Sequence, residues 1–177
     1  MADAGDPVPE FKDRLVFDDA AGELRDGPRR YLLLRPDALM TMFRLLPPDS
    51  RELALDALEQ AVHQQGSDSA RAYVAHGGGD VEALLTIIEC TAPQLGWGNW
   101  RFEADEERLR LEVQNSPFAQ SFGPSEQPVC HAVRGMLRGL ADLWLGRQTQ
   151  SVELQCTAQN HVSCMFEALP ATPVAGA

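Results

Sequence analysis

Three cysteines and one glutamate in the C-terminal third restrict the fold of this chain more than any other feature. They follow the spacing Cys-x22-Glu-x2-Cys-x7-Cys, with Cys130, Glu153, Cys156 and Cys164 in those positions. Apolar residues recur at helical spacing from Val133 to Trp144 and stop before Gly146, which predicts an amphipathic helix in the long interval. The first cysteine therefore precedes a helix, where the positive end of the helix dipole favours a thiolate.

The other two cysteines are predicted to lie on a β-hairpin. Val152, Leu154 and Cys156 alternate with polar residues, and the alternation resumes at Cys164 after a turn centred on Asn160. In this register Cys156 lies opposite Cys164, with β-carbons about 5 Å apart. Two thiolates at that separation can share one metal ion.

Glu153 does not fit a regular hairpin. Residues three apart on an ideal strand point to opposite faces, so Glu153 and Cys156 can share a site only if a bulge occurs between them, near Gln155. A closed tetrahedral Cys3Glu zinc site satisfies the pattern. Three cysteines packed as small apolar residues, or a Cys156–Cys164 disulfide, satisfy it as well.

Composition narrows the class of protein. A chain of 177 residues suits one domain, predicted over residues 15–170 between disordered tails at 1–14 and 171–177. Neither a transmembrane run nor a secretory signal is visible, which favours the cytoplasm and reduced thiols. The net charge of −11 disfavours nucleic acid as a partner. Cys90 lies in an apolar run and is interpreted as a buried core thiol.

The order of elements predicts an α+β fold: a mainly antiparallel sheet with helices on one side. Helices dominate the first half, including one with the stripe Leu53, Ala54, Ala57, Leu58, Ala61 and Val62 that is predicted to stop at Gly66. Gly77–Gly79 is interpreted as a flexible connector, and residues 115–128 as a loop. A hairpin over residues 100–113 and the cysteine hairpin supply the sheet.

Catalysis has little support in the sequence. No nucleotide-binding fingerprint and no convergent acid–base cluster appears. His131 is interpreted as an exposed helix-start residue or a support for the metal site, and His161 as a turn residue. His63 and His76 are interpreted as solvated helix-end residues. Arg134 is either a counter-charge for the zinc site or an exposed arginine.

A set of aromatic and apolar residues predicts a binding site for an apolar ligand beside the cysteine hairpin. Simple core packing is the alternative for each of them. The candidate ligand-binding residues are Trp97, Trp100, Asn115, Phe118, Phe122, Met136, Leu140 and Trp144.

The cysteine region resembles the 4-vinyl reductase (hydrocarbon-binding) domain family. Pro128-Val129-Cys130, the glycines Gly135, Gly139 and Gly146, and the run Glu153, Cys156, Ala158, Cys164 and Phe166 match its signature. The resemblance implies a structural zinc ion at Cys130, Glu153, Cys156 and Cys164, as in the phenol- and xylene-sensing activators. It also implies a fold shared with the core subunits of the TRAPP vesicle-tethering complex. Pro117 departs from the loop of the phenol sensors, so their phenol contacts are not carried over.

Within that family the chain looks most similar to the stand-alone bacteriochlorophyll 4-vinyl reductase-type proteins. The leading hypothesis is a zinc-stabilised domain that binds or delivers a tetrapyrrole intermediate to pigment-synthesis enzymes. One alternative is a cytoplasmic sensor for an aromatic or lipid-like effector, and a second is a vinyl reductase with an external electron donor. The apolar surface of the early helices, and the pairing of related domains, predict a homodimer.

Overall fold

The computed structural model describes residues 10–75 and 80–171, and the chain divides into two compact units at the Arg35/Pro36 junction. The sequence predicts one domain over residues 15–170, and this stays a prediction. The strands before Pro36 pair with one another and form a small sheet of their own. No helix in the described ranges is long and apolar enough to cross a bilayer.

The first unit is a three-stranded antiparallel sheet preceded by one helical turn. Its elements are α1 (Phe11–Arg14), β1 (Val16–Asp18), β2 (Glu23–Asp26) and β3 (Arg29–Tyr31). Phe11 packs edge-on against Tyr31 with ring centroids 5.4 Å apart, and Arg14 pairs with Asp26 at 3.0 Å. These contacts order residues 10–14, which the sequence assigned to a disordered tail. Residues 1–9 of that tail, and 172–177 of the other, lie outside the described residues.

The second unit combines helices with a four-stranded sheet. Its elements are α2 (Pro36–Arg44), α3 (Pro48–Ala75), α4 (Val81–Gln94), β4 (Asn99–Ala104), β5 (Leu109–Gln114), α5 (Pro117–Phe122), α6 (His131–Trp144), β6 (Thr149–Gln155), a 3-10 turn (Thr157–Gln159) and β7 (Cys164–Pro170).

The four-stranded sheet is antiparallel throughout, in the order β4-β5-β7-β6. Alternate residues of β5 and β7 are buried against the helices, while their neighbours face the opposite, more exposed side. Val113 pairs with Cys164, and Leu111 pairs with Phe166, so the strands that carry the core also fix the position of the last cysteine. The predicted α+β fold class, an antiparallel sheet with helices on one side, is confirmed.

Helix α3 does not stop at Gly66 as predicted but continues to Ala75. A side chain at position 66 would meet the flexible end of Met136 on α6, so glycine here serves helix packing rather than helix termination. The buried face also differs from the predicted stripe: Leu55, Glu59 and Ser67 are buried, whereas Leu53 is exposed. The predicted connector Gly77–Gly79 and His76 lie outside the described residues.

Helices α3 and α6 approach each other closely at two glycines of α6. A methyl group on Gly135 would overlap the backbone carbonyl of Glu59, and one on Gly139 would lie 2.7 Å from Ser67 Oγ. A residue larger than glycine at position 135 would therefore push the helices apart. The pair of glycines places the buried face of α6 between α3 and the sheet.

The segment predicted as a loop over residues 115–128 contains the short helix α5. Ser116 precedes it, Pro117 occupies its first turn, and Phe118, Ala119 and Phe122 are buried. Proline is well suited to a first helical position because its missing N–H is not needed there. The sequence interpretation gave too much weight to the turn-forming residues and too little to the three apolar side chains.

The Gly135 contact generates a testable expectation. Gly135→Ala should destabilise the protein by about 3 kcal/mol and lower Tm by about 10 °C, because the clash is with backbone that cannot move aside. Gly66→Ala is the matched control: its new methyl would meet Met136 Sδ at 3.2 Å, a contact that the flexible side chain can relieve. Thermal melts of both variants measure the difference, and equal melting temperatures would contradict the close-packing account.

Candidate metal centre

Three elements bring the cysteines to one buried point. Cys130 immediately precedes α6, Cys156 follows the end of β6, and Cys164 begins β7. All three side chains are fully buried and unoxidised. Asn160, in the left-handed conformation at φ 67°, reverses the chain between the last two cysteines as the sequence predicted.

An irregularity in β6 brings Glu153 to the same point. The register of β6 against β7 shifts between Glu153 and Gln155, which places the bulge where the sequence required it. Glu153 is buried, Leu154 and Gln155 are exposed, and Cys156 is buried again. The extra residue therefore turns both potential ligands toward the interior.

The spacing of the four side chains fits a tetrahedral metal ion. Their potential ligand atoms all lie within 4.8 Å of one another. Cys130 Sγ is 4.0 Å from Cys156 Sγ and 3.8 Å from Cys164 Sγ. Two thiolates bound to one tetrahedral zinc at about 2.3 Å lie about 3.8 Å apart. The sulfur positions are thus those that a zinc ion would require.

The carboxylate of Glu153 supplies independent support for a cation. Its Oε2 accepts a hydrogen bond of 2.9 Å from the Cys130 backbone N–H. Its Oε1 is buried and has no hydrogen-bond partner. A buried carboxylate oxygen without a partner is costly, and a metal ion at this point would remove that cost. The donor set therefore fits a divalent cation with a preference for thiolate, such as zinc.

Burial and close contact shift the pKa values of these side chains. Hydrogen bonds with the Cys156 and Cys164 thiols, together with burial, raise the pKa of Cys130 well above its usual value. Burial raises the pKa of Glu153 to about 7. The pKa of Cys164 is lowered, because its sulfur accepts hydrogen bonds from Cys130, Cys156 and the Thr157 N–H. One thiolate is thus favoured without a metal, and a cation would be needed to hold the others deprotonated.

Two further residues touch the cysteine sulfurs, and the sequence interpretation missed both. Ser116 is fully buried, and its Oγ lies 3.3 Å from Cys130 Sγ. The backbone N–H of Thr157 donates to Cys164 Sγ at 3.3 Å. Ser116 precedes α5 by one residue, so the cysteine cluster is tied directly to that helix. Only its position in the run Asn115-Ser116-Pro117, a frequent start of a helix, could have drawn attention to it.

His131 and Arg134 belong to a polar cluster between α3 and α6. His131 is buried, with Nδ1 3.3 Å from Asp56 Oδ1 and 3.6 Å from Glu59 Oε2. Arg134 Nη2 lies 2.8 Å from the same Glu59 oxygen. The expectations of an exposed histidine and an exposed arginine are both wrong, since α3 covers this face of α6. Asp56, Glu59 and His131 could also hold a cation by distance alone, but the Arg134 guanidinium already neutralises Glu59.

Two other expectations also need correction. Cys90 is exposed, because it lies on the side of α4 opposite the buried Leu84 and Leu85. His63 is not at a helix end: it is half-buried within α3, with Nε2 2.8 Å from Asp142 Oδ2 on α6. His161 is exposed in the turn, as predicted.

Part of the predicted ligand-binding set forms an aromatic cluster. Trp97 packs edge-on against Phe118 at 5.1 Å and lies 6.2 Å from Trp100, whose ring N–H donates to the Trp97 carbonyl oxygen. Trp100 continues the cluster to Phe102 at 6.0 Å. Trp97 remains half-buried while Trp100 and Phe118 are buried. Phe102 is half-buried as well, so the cluster reaches the surface at both Trp97 and Phe102.

The remaining members of the set lie elsewhere. Trp144 donates to the Asp105 carbonyl oxygen at the opposite end of the β4–β5 hairpin, and Met136 faces Gly66 on α3. Phe122 is buried beneath the Arg51 guanidinium, and Leu140 is buried in the core. Asn115 is exposed, with φ 62°. The eight residues therefore do not surround one point.

Comparison with known proteins agrees with this architecture. The family model of the 4-vinyl reductase domain matches residues 109–170, a range that contains all four cluster residues. The predicted resemblance to that domain family is confirmed for this segment, while the closer likeness to bacteriochlorophyll proteins stays a prediction. No curated protein sequence matches the chain.

Several solved structures are similar to this chain. The phenol-responsive sensory domain of the transcription activator PoxR, solved with phenol, has a TM-score of 0.75 and 20% identity over 90% of this chain and 86% of that chain. Subunit 3 of the trafficking protein particle complex from Naegleria fowleri, covalently bound to palmitic acid, has a TM-score of 0.53 and 11% identity over 77% and 95%. A vinyl-4-reductase family protein from Methanocaldococcus jannaschii has a TM-score of 0.49 and 16% identity over 80% and 98%. At the identities of the first two, the likeness establishes the fold alone.

The metal-centre geometry predicts the effect of removing one ligand. Purified protein should contain about one zinc per chain, and Cys164→Ser should lose it and lower Tm by about 10 °C, because metal binding contributes directly to folding free energy. Glu153→Gln should be milder, since an amide keeps an oxygen but loses the charge. Elemental analysis and thermal melts provide the measurements.

Cys90→Ser is the matched control, because it removes an exposed thiol that is not part of the cluster and should keep both metal content and Tm. Chelation that leaves the melting temperature of the wild-type protein unchanged would rule out a structural metal.

Proposed function

We propose that this chain, whose residues 109–170 match the 4-vinyl reductase domain family, is a metal-braced binding domain for an apolar small molecule. The zinc ion would be held by Cys130, Glu153, Cys156 and Cys164 and would fasten α6 to the β6–β7 hairpin. With four protein ligands such a site is closed, so its contribution is structural. We accordingly propose binding without chemical change of the ligand.

The contact between Ser116 and Cys130 carries this proposal. Ser116 Oγ approaches the cysteine sulfur at 3.3 Å, and Phe118 follows two residues later on α5, edge-on to the half-buried Trp97. The metal centre and the aromatic cluster are therefore parts of one packed arrangement. A ligand that stacks on Trp97 or displaces Phe118 would act on α5, and through Ser116 on the cysteine cluster.

Aromatic faces and apolar neighbours favour a flat or chain-like apolar ligand. The similar fold of the phenol-responsive PoxR domain supports a sensory role for an aromatic effector. The finer hypothesis, a tetrapyrrole intermediate delivered to pigment-synthesis enzymes, rests on the sequence resemblance. A vinyl reductase with an external electron donor is the remaining alternative. Cysteine ligands bind a metal ion only when they are not oxidised, which favours a reducing compartment, and we propose the cytoplasm.

The surface of α2 and the start of α3 supports the proposed homodimer. Met42, Leu45 and Leu53 are exposed by 52%, 80% and 71%. Large apolar side chains exposed near one another in the sequence favour an interaction surface in this part of the chain. A second copy that places the same face against them would bury all three in a two-fold contact.

Ligand binding is tested with three probes: phenol, protoporphyrin IX and palmitic acid. We expect saturable binding of at least one, observed by quenching of tryptophan fluorescence or by calorimetry. Trp97→Ala should weaken binding about tenfold, in line with the loss of one aromatic stacking contact. Ser116→Ala should weaken it by a smaller factor while zinc content is kept, because α5 loses its tie to Cys130.

Trp144→Ala provides the control, since this tryptophan lies at the opposite end of the β4–β5 hairpin and should leave affinity unchanged. Porphyrin binding alone would favour the tetrapyrrole hypothesis, and phenol or palmitic acid binding the sensor hypothesis. Failure of all three probes to bind would overturn the proposed function. Reduction of a divinyl chlorophyll precursor by the isolated protein with NADPH would replace binding by catalysis.

The dimer hypothesis predicts that Leu45→Glu shifts the protein to a monomer, because a charge at this exposed position would have to be desolvated in the interface. Light scattering over a range of concentrations measures the mass. Val162→Glu, which changes a fully exposed residue in the β6–β7 turn, should leave the dimer intact. A wild-type mass equal to the monomer at every concentration would contradict the hypothesis.

A further inference from the structure

A polar cleft lies between the second half of α3 and the end of α6, away from the aromatic cluster. Its volume is about 560 Å³. Residues between His63 and Arg71 line one side, and residues between Asp142 and Gln148 line the other. Every lining residue is polar or glycine, so the cleft is unsuited to the apolar ligand proposed above.

The carboxylates of the cleft already have donors. Asp142 Oδ2 lies 2.8 Å from His63 Nε2, and Asp142 Oδ1 accepts from the Thr149 backbone N–H at 2.7 Å and from Thr149 Oγ1 at 2.8 Å. Asp68 accepts from Arg71 Nη2 at 2.8 Å. The acceptor capacity of both acidic groups is therefore largely used within the protein.

The hydrogen-bond donors of the cleft are much less used. Arg147 makes no hydrogen bond or ion pair with any residue in the described part of the chain. Arg71 has one observed bond from a guanidinium group that carries five N–H donors. Gln64 and Gln148 add exposed side-chain amides. The cleft therefore has hydrogen-bond donors without acceptors among the described residues. Planar guanidinium groups match the geometry of carboxylate and phosphate oxygens.

We propose that this cleft binds a small anion through a carboxylate or phosphate group held by Arg147 and Arg71. Both arginines line the same cleft, and together with Asp68 and Asp142 they bring its formal charge to about zero in a chain whose net charge is −11. The surrounding acidic field would exclude anions that cannot form directed bonds.

The position of the cleft makes it a second site rather than a part of the metal centre. Cys130 lies at the start of the 14-residue helix α6 and the cleft lies at its end, about 20 Å away along the axis. Asp142 nevertheless connects the cleft to α3 through His63 and to β6 through Thr149. An anion held between Arg71 of α3 and Arg147, which follows α6, would therefore stabilise the packing of these two helices by mass action.

Titration calorimetry of the full chain with sodium phosphate, and separately with sodium succinate, tests the proposal. We expect saturable binding of at least one anion that weakens as ionic strength rises. Arg147→Gln and Arg71→Gln should each reduce the affinity at least tenfold. Arg101→Gln is the matched control, because it removes the same charge from an exposed position on β4 and should change the affinity less than twofold.

The two anions distinguish the source of the ligand group. Binding of phosphate alone assigns a phosphoryl ligand, and binding of succinate assigns a carboxylate; either supports the site. Absence of saturable binding for both, or an equal effect of Arg147→Gln and Arg101→Gln, would overturn it. Melting curves and zinc content of the variants show that the fold is kept, and binding of phenol, protoporphyrin IX or palmitic acid is a separate measurement whose outcome does not bear on this one.

Discussion

Four acidic side chains buried close together are the constraint on which the rest of this structure depends. Cys130, Glu153, Cys156 and Cys164 cannot all ionise at such separations unless a cation lies among them, and a partnerless Glu153 oxygen is already present. Each of the four comes from a different point in the chain. A cation bound by all four side chains would therefore fix the start of α6, the end of β6 and the start of β7 relative to one another.

The second constraint is steric and acts on α6 from the other side. Gly135 admits the backbone of Glu59, and two polar pairs span the same contact: Arg134 lies 2.8 Å from Glu59, and Asp142 lies 2.8 Å from His63. Both constraints therefore act on α6: the sheet and the cysteine cluster contact one of its faces, and α3 packs against the other. A shift of α6 along its axis would break both sets of contacts.

The features that were predicted correctly from the sequence are those that depend on local residue patterns. The spacing of Glu153 and Cys156 required a bulge, and alternation placed Cys164 on a buried face; both features are present. The sequence analysis was wrong where one residue type can serve two purposes. Glycine often ends a helix, but Gly66 lies inside α3 and leaves room for Met136. The apolar stripe predicted for α3 also led us to overlook its buried polar residue Glu59. The contacts of Ser116 with Cys130 join residues 14 positions apart, and no local pattern encodes them.

The bulge in β6 also limits how this protein can change. If β6 kept all of its residues but paired with β7 without the bulge, the ladder of backbone hydrogen bonds would be unbroken and the hairpin would be more regular. Strict alternation would then put Glu153 and Cys156, which are three residues apart, on opposite faces of the sheet. Regular pairing of all these residues and the four-ligand cluster are therefore alternatives. One more residue between Glu153 and Cys156, with the bulge kept, would also turn one of these two ligands away from the cluster.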